Sequence, residues 1–220
     1  MTSKLVTDDI ERRTAANTAI VLIDYVTGFG SMIGSQTMAE NTAGARALAQ
    51  TALTFGVPLV VTMGPELDPR GVIYPELAAV LGDHPIVYRG GSFDAFAFPG
   101  FEQAIEATGV RHLVIAGLMT DGCVLQTGLS ALRRGYQISL VLDATATETP
   151  AAHQAGVDRL ARHGAELNSW LSLAAELQAD YGNTETLARF REIQANSPGY
   201  AKLQSTMAGT LRYAESLRDG

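Results

Sequence analysis

The chain has 220 residues and a formal net charge of −7 at pH 7; 46% of its residues are hydrophobic and 18% are charged. This composition is that of an ordered globular protein and excludes an intrinsically disordered chain. The acidic balance argues against a general binding surface for nucleic acid or for an anionic membrane.

A single cysteine, Cys123, excludes an intramolecular disulfide framework and a cysteine-rich zinc site. The first residues contain no apolar segment of the signal-peptide type, and no uncharged apolar run approaches the ~20 residues that span a bilayer. We therefore expect a soluble cytoplasmic protein with no nucleic-acid or membrane partner.

Short runs rich in β-branched residues and leucine predict the β-strands. Because the apolar residues in each run are continuous rather than alternating, we expect both faces of the strands to be covered, as in a parallel sheet. The runs are residues 19–24, 58–62, 85–88, 113–117, 138–143 and, more weakly, 166–170.

Helical patterns lie between these runs, and glycine or proline marks several of their ends. Gly56, Gly135 and Gly164 follow three of the helices in the position of a C-terminal cap, and Pro150 suits a first turn. Predicted helices cover residues 41–55, 75–81, 100–108, 120–134 and 150–163. The alternation predicts an α/β protein, a three-layer α/β/α doubly wound sheet of about six mainly parallel strands in the order 3-2-1-4-5-6.

The last part of the chain predicts helices without strands. Residues 171–181 and 183–196 form two amphipathic patterns, and a break at residues 197–199 precedes a third pattern. The apolar face of the third carries Leu203, Met207, Leu211 and Ala214. We expect one domain over residues 1–182 and a helical C-terminal extension over residues 183–220, which packs on the domain or on a neighbouring subunit.

Three residues with reactive or charged side chains follow strands that should end at one edge of the sheet. Ligands bind doubly wound sheets beyond the carboxyl ends of the strands, where the strand order reverses. In the predicted order, strands 1 and 4 flank that crevice, Asp24 ends strand 1 and Cys123 follows strand 4. Arg89 ends strand 3 at the same edge. The sequence therefore predicts that a carboxylate, a thiol and a guanidinium meet there.

Cys123 is predicted to act as a nucleophile. The attacking form is the thiolate, and we expect the N-terminus of a helix that begins near Thr120, together with Arg89, to lower the thiol pKa. Asp24 is expected within reach of the thiol proton, which it can take as a general base. The turn at residues 118–119 exposes backbone N–H groups beside the thiol, which suits an oxyanion hole.

Four segments of the chain carry a family pattern. They are residues 21–24 followed by Gly28 and Phe29, residues 89–96, residues 114–124 followed by Thr127 and residues 134–136, and residues 141–144. Together they resemble the isochorismatase-like hydrolases, also called the cysteine hydrolase family, over roughly residues 15–175. The stretch from Trp170 to Tyr200 is similar to the YcaC-like branch, whose members form homo-oligomers.

The resemblance implies a catalytic triad of an aspartate, a lysine and a cysteine. Asp24 and Cys123 match two of these positions, and Arg89 occupies the lysine position. Arginine is effectively never deprotonated, so Arg89 can orient Asp24 and supply positive charge but cannot relay a proton. The resemblance also implies a cis peptide between Leu118 and Met119, and oxyanion donors at the N–H groups of Met119 and Cys123.

The activity that follows is hydrolysis of a C–N bond in a small amide-like substrate, through a thioester on Cys123 and without a cofactor. Nicotinamidases in the family hold a metal with closely spaced histidines, but residues 60–71 contain none, so we expect no metal. We also expect a homo-oligomer. Candidates for the walls of the substrate pocket are Tyr25, Phe29, Phe96 and Trp170, of which at least two are expected to have core packing as their main role.

Two other functions fit parts of the sequence. Gly28, Gly30 and Gly34 follow strand 1 with the spacing G-x-G-x-x-x-G, which loosely matches a dinucleotide-binding loop and would suit a nucleotide-dependent oxidoreductase. An activated, unpaired thiol at Cys123 would also suit a redox-sensing or binding protein without turnover.

Overall fold

A six-stranded parallel sheet forms the centre of the computed structural model, which describes residues 11–216 and 218. The strand order is β3-β2-β1-β4-β5-β6, which confirms the predicted order, and each neighbouring pair is parallel. The strands are β1 (Thr18–Ile23), β2 (Leu59–Met63), β3 (Ile86–Tyr88), β4 (His112–Gly117), β5 (Gln137–Val141) and β6 (Glu166–Asn168).

The register brings the ends of the central strands to one level. Ile23, the last residue of β1, pairs with Thr62 near the end of β2 and with Gly117 at the end of β4. The segments that follow these strands therefore leave the sheet at the same edge. The strand order reverses between β1 and β4, so this edge is the expected ligand-binding crevice.

Nine helices flank the sheet in the described part of the chain. They are α1 (Thr27–Gly30), α2 (Met38–Phe55), α3 (Pro75–Leu81), α4 (Pro99–Thr108), α5 (Leu125–Arg133), α6 (Pro150–Arg162), α7 (Trp170–Gln178), α8 (Thr184–Gln194) and α9 (Pro198–Ser216). Thr37, Thr149 and Ser169 cap α2, α6 and α7 by accepting a first-turn N–H. Of the helices described, none is both long and apolar enough to cross a membrane.

Two hydrophobic cores, one on each face of the sheet, explain why the central strands are apolar throughout. In β1, Ile20 and Leu22 face the first core, whereas Val21 and Ile23 face the second. Helices α2, α3, α7 and α8 cover the first core, and α4, α5 and α6 cover the second. This arrangement confirms the predicted three-layer α/β/α fold.

The structure differs from the sequence prediction at several helix starts. The helix expected from Thr120 begins at Leu125, because Thr120–Val124 form a π-type turn in which Gly122 leaves helical geometry with φ −109° and ψ −108°. The last helix begins at Pro198, where a break is predicted, since proline suits a first turn that does not use its N–H. The sequence does not predict α1, whose four residues are too few for a periodic pattern.

The C-terminal helices differ in how they pack. Phe190 and Ile193 of α8 are buried in the first core, but Leu203, Met207 and Leu211 on α9 are 50%, 51% and 64% exposed. The division into a domain and an extension stays a prediction, and its residues 1–10, 217, 219 and 220 lie outside the described residues.

Candidate active site

Asp24 is held just after β1 in an uncommon backbone conformation. Its φ of 53° lies in the left-handed region, which residues other than glycine rarely adopt. The N–H of Asp24 donates to the carbonyl oxygen of Thr62 at 3.1 Å, and the hydroxyl of Thr62 donates to Asp24 Oδ1 at 2.9 Å. The end of β2 thus fixes both the backbone and the carboxylate of a residue that is 2% exposed.

Arg89 forms a buried ion pair with Asp24. Nε of Arg89 donates to Asp24 Oδ1 at 3.3 Å, Nη2 donates to Asp24 Oδ2, and Nη1 donates to the carbonyl oxygen of Ser92. Both side chains are 3% exposed, so each charge compensates the other away from water. Burial acts to lower the pKa of Arg89, but the negative charge of Asp24 and that of Cys123 in its thiolate form outweigh it and raise that pKa.

Cys123 lies in the π-type turn after β4, and its thiol interacts electrostatically with both members of the ion pair. Burial and the charge of Asp24 raise the thiol pKa to about 11, although Arg89 acts in the opposite direction. The expectation of a lowered thiol pKa is therefore wrong, because Cys123 is 6% exposed and precedes the first residue of α5. The resting site holds a neutral thiol beside a carboxylate that can accept its proton.

The turn that leads from β4 to Cys123 presents a backbone donor. The peptide bond between Leu118 and Met119 is cis, as the resemblance implies. The carbonyl oxygen of Met119 accepts the N–H groups of Gly122 at 3.0 Å and Val124 at 3.2 Å. The N–H of Met119 donates to no acceptor in the part of the chain that the structure describes. Its predicted role as an oxyanion donor fits this placement and stays a prediction.

A cleft of about 490 Å³ opens beside this turn. Two exposed apolar side chains, Met32 and Phe93, form part of its wall. Asp121 also lines it and accepts a hydrogen bond from the hydroxyl of Thr147 at 2.6 Å. Because Met119 lines the same cleft, a molecule bound there would contact the turn that carries Cys123.

The four aromatic residues predicted to line the pocket divide into two groups. Tyr25 and Phe96 are 1% and 4% exposed, in the first and second core respectively, and Trp170 is 7% exposed in the first core. These rings pack in the layers between helices and sheet, and Trp170 also lines a cleft beside Asp143. Their role as walls of the substrate pocket stays a prediction. Phe29 is half-buried, with Cζ of Arg70 4.7 Å from its ring centroid.

Three polar residues near the ion pair are not predicted from the sequence. Thr62 lies within an apolar run, and its position at the end of β2 is the one signal that could have identified it. Asp68 and Arg70 lie in the loop after β2, where Arg70 Nε and Nη2 donate to the two Asp68 carboxylate oxygens at 2.7 and 2.8 Å. No periodic pattern predicts the course of that loop.

The glycines that follow β1 allow close packing of the chain on itself. A Cβ at Gly28 would lie 2.3 Å from the backbone oxygen of Arg70, and one at Gly34 would lie 2.3 Å from that of Glu148. A Cβ at Gly30 would likewise collide with the ring of Tyr74. These contacts explain the glycine spacing without a phosphate-binding loop.

The histidines are bonded to separate parts of the protein. Their partners are the carbonyl of Leu59 for His84, Ser139 for His112, Thr120 for His153 and the carbonyl of Arg159 for His163. Among the described residues, no group of three or more His, Cys, Asp or Glu side chains is placed to hold a metal ion.

Comparison with known sequences gives one family and, among the similar proteins, one from a bacterium. Residues 18–171 match the family model described as the isochorismatase domain. The chain is 33% identical over 165 residues to the Escherichia coli protein described as "Probable hydrolase YcaC", an alignment that covers 75% of this chain and 79% of that protein.

Two solved structures of YcaC proteins are similar to the whole fold. YcaC from Pseudomonas aeruginosa, with hexane-2,5-diol and covalent acrylamide, has a TM-score of 0.84 and 31% identity, covering 91% of this chain and 98% of that one. YcaC from Escherichia coli, described as an octameric hydrolase of unknown specificity, has a TM-score of 0.85 and 30% identity, covering 93% and 100%.

Proposed function

The chain belongs to the isochorismatase family, and from that premise we propose that it is a cysteine-dependent hydrolase that cleaves a C–N bond of a small amide. The observation that carries the proposal is the buried ion pair of Asp24 and Arg89, with both of which the thiol of Cys123 interacts electrostatically. Hydrolysis as the reaction class follows from the family. The amide substrate and the thioester route are our proposals.

In the proposed first step, Asp24 takes the proton from Sγ of Cys123, and the thiolate attacks the carbonyl carbon of the amide. A carboxylate has about four lone-pair positions. Thr62 and Arg89 Nε donate to Oδ1, and Arg89 Nη2 donates to Oδ2, so one position on Oδ2 is left for the thiol proton. The new C–S bond forms as the carbonyl oxygen becomes an oxyanion on the N–H groups of Met119 and Cys123.

The intermediate then collapses with cleavage of the C–N bond. Asp24 returns its proton to the leaving nitrogen, which departs as ammonia or an amine, and the acyl group remains on Cys123 as a thioester. A water molecule gives a proton to Asp24 and attacks the thioester, the C–S bond breaks, and the proton goes back to sulfur. Arg89 stays protonated throughout, holding Asp24 and balancing its charge.

One relative supports a reactive thiol, and the cleft supports a small-molecule substrate. The YcaC structure from Pseudomonas aeruginosa contains covalent acrylamide, an electrophile whose vinyl group adds to nucleophiles such as thiols. We propose that Cys123, the one cysteine of this chain, is the residue that would react in the same way. The cleft of about 490 Å³ beside Met119 has the size of a site for a small molecule.

The test is a panel of small amides, ureides and carbamoyl compounds screened for ammonia release. Cys123→Ala and Asp24→Asn should each lower turnover of the best substrate by about a thousandfold or more. The first removes the nucleophile, and the second removes the group that accepts and returns the proton. Asp158→Asn, which changes a carboxylate on the outer face of α6, serves as the control and should turn over normally. A folded Cys123→Ala or Asp24→Asn variant with the wild-type rate would overturn the proposal.

We also propose that the chain assembles into a homo-oligomer. The YcaC protein of Escherichia coli is described as octameric, and its chain is covered completely by the structural match. The row formed by Leu203, Met207 and Leu211 on α9 is the part of the C-terminal extension that another subunit would cover.

A further inference from the structure

A second guanidinium, that of Arg70, lies beside the proposed site and has no role in the proposed reaction. Gly64 directly follows β2, and its carbonyl oxygen accepts the N–H of Arg89 at 3.4 Å. The Arg70 side chain packs directly on Gly64, where a Cβ would lie 2.3 Å from Nη2. The guanidinium therefore lies beside the end of β2, at the same edge of the sheet as Asp24 and Arg89.

The surrounding residues hold this guanidinium in one orientation. Asp68, whose side chain is 0% exposed, accepts Nε and Nη2 of Arg70 at 2.7 and 2.8 Å. The ring of Phe29 lies against the guanidinium, with its centroid 4.7 Å from Cζ. The backbone oxygen of Arg70 accepts the N–H of Gly28 at 2.8 Å, which ties the loop to α1. A buried carboxylate and an aromatic face thus fix a cation whose side chain is 42% exposed.

Part of the donor capacity of Arg70 is unused by the protein. An arginine side chain has five N–H donors, and the pair with Asp68 uses one on Nε and one on Nη2. Within the described residues, Nη1 donates to no protein group. The free edge of Nη1 and Nη2 has the fork geometry that binds a second carboxylate through two parallel hydrogen bonds.

We propose that Arg70 binds a carboxylate group of the substrate, so that the substrate is a small amide that also carries a carboxylate. This inference rests on the proposed function, because it assigns the substrate class of the same site. The hydrogen bond to Asp68 raises the pKa of Arg70, and the charges of Asp24 and of the Cys123 thiolate act in the same direction, in keeping with the position of Arg70 at this edge of the sheet. If the substrate were an uncharged amide, the free edge of Arg70 would bind water instead.

The experiment compares two reagents that alkylate the same sulfur. Iodoacetate and iodoacetamide each form a C–S bond with Cys123 and release iodide, and they differ in carrying a carboxylate or a carboxamide. The reactivity of the thiol affects both second-order rate constants equally, so it drops out of their ratio. In Arg70→Gln the ratio of iodoacetate to iodoacetamide should fall about fivefold or more, since one favourable charge interaction is lost. Cys123 is the one cysteine, so intact-protein mass spectrometry reads the reaction directly.

Arg134→Gln is the matched control. Like Arg70, Arg134 stacks on a phenylalanine, with Cζ 4.6 Å from the Phe96 centroid, and pairs with a carboxylate, Glu102, at 3.1 Å. Its side chain is 37% exposed. It differs from Arg70 in its position, which follows the C-terminal end of α5. Its variant should keep the wild-type ratio. Arg70→Met, which retains an apolar stem over Phe29, replaces Arg70→Gln if the latter does not fold.

The outcomes separate this inference from the proposed function. A wild-type ratio in a folded Arg70→Gln or Arg70→Met protein overturns the carboxylate inference and leaves the roles of Asp24 and Cys123 intact. Full turnover by Cys123→Ala overturns the proposed function, whichever ratio the Arg70 variants give. If the ratio of iodoacetate to iodoacetamide falls in Arg70→Gln and does not fall in Arg134→Gln, the inference is supported.

Discussion

Arg89 gives Asp24 two hydrogen bonds from one planar group, where a lysine ammonium would act as a point charge. Its third nitrogen donates to the carbonyl oxygen of Ser92, so the same side chain also holds the loop after β3. Removing one partner of such a buried pair leaves an uncompensated charge, at a cost of about 3–5 kcal/mol. Substitutions that keep the shape of the side chain are therefore the clearest tests of this ion pair.

Asp24→Asn should lower the pKa of Cys123 from its value of about 11, because Asp24 is one of the groups that raise it. A negative charge close to the sulfur disfavours the thiolate, and a neutral amide does not. The rate of alkylation by iodoacetamide follows the thiolate fraction and so increases with pH up to the pKa. Its midpoint should move to lower pH in Asp24→Asn and stay in place in Asp158→Asn.

An unchanged midpoint in Asp24→Asn would show that the charge of Asp24 does not contribute to the raised thiol pKa.

The raised pKa also bears on the redox-sensing function predicted as an alternative from the sequence. Oxidation of cysteine follows thiolate character and exposure. Cys123 is 6% exposed with a raised pKa, which is the opposite of a sensor thiol.

The meeting of Asp24, Arg89 and Cys123 could be predicted because strand ends in a parallel sheet share one edge. The direction of the thiol pKa could not, since it depends on how completely the packed turn excludes water. Arg70 could not be predicted for a similar reason: its position depends on a loop anchored by the burial of Asp68, and a short loop has no periodic signal.

At the scale of the elements, β1 and β4 approach closely because Gly117 ends β4. Its φ of 149° is one that other residues rarely adopt, and a Cβ there would lie 2.1 Å from the carbonyl oxygen of Ile23. This contact sets the separation between the segment that carries Asp24 and the turn that carries Cys123.

Gly117→Ala should lower the free energy of unfolding by about 3 kcal/mol or more, because the added methyl group collides with backbone and the strand ends must separate. Gly135→Ala is the control: its φ of 82° is also positive, but no atom lies within 4 Å of the added Cβ. Its cost should be limited to about 1–2 kcal/mol of backbone strain. Urea denaturation measures both values. Equal losses in the two variants would contradict the close contact of β1 and β4.

The regular elements could be predicted more fully than the turns. The continuous apolar runs identify five strands to within a few residues, since the central strands are buried on both faces. The sixth strand, Glu166–Asn168, lies at the edge of the sheet and gives a weaker pattern, because two of its three residues are exposed. The π-type turn at Thr120–Val124 could not be predicted, because its sequence is compatible with the first turn of a helix. Its irregular geometry depends on Gly122 and on contacts with the segment after β5, such as the 2.9 Å bond from Thr120 N–H to Ala146.

For the whole molecule, α9 is the element that a homo-oligomer would explain. Leu203→Asp should lower the molar mass measured by light scattering after gel filtration, because a carboxylate would replace an apolar group in the row that we propose a neighbouring subunit covers. Lys202→Asp places the same charge one residue earlier on the same helix and should leave the mass unchanged. A variant Leu203→Asp with the wild-type mass, or a monomeric wild-type protein, would contradict a role of α9 in assembly.

The most direct test of Cys123 as the nucleophile is intact-protein mass spectrometry on samples quenched with acid during turnover of the best amide. The wild-type protein should gain the mass of the acyl group, hydroxylamine should remove it, and peptide mapping should place it on Cys123. The variant Cys123→Ala should show neither the adduct nor ammonia release. Steady turnover with no adduct in the wild type, together with turnover by Cys123→Ala, would contradict the thioester mechanism.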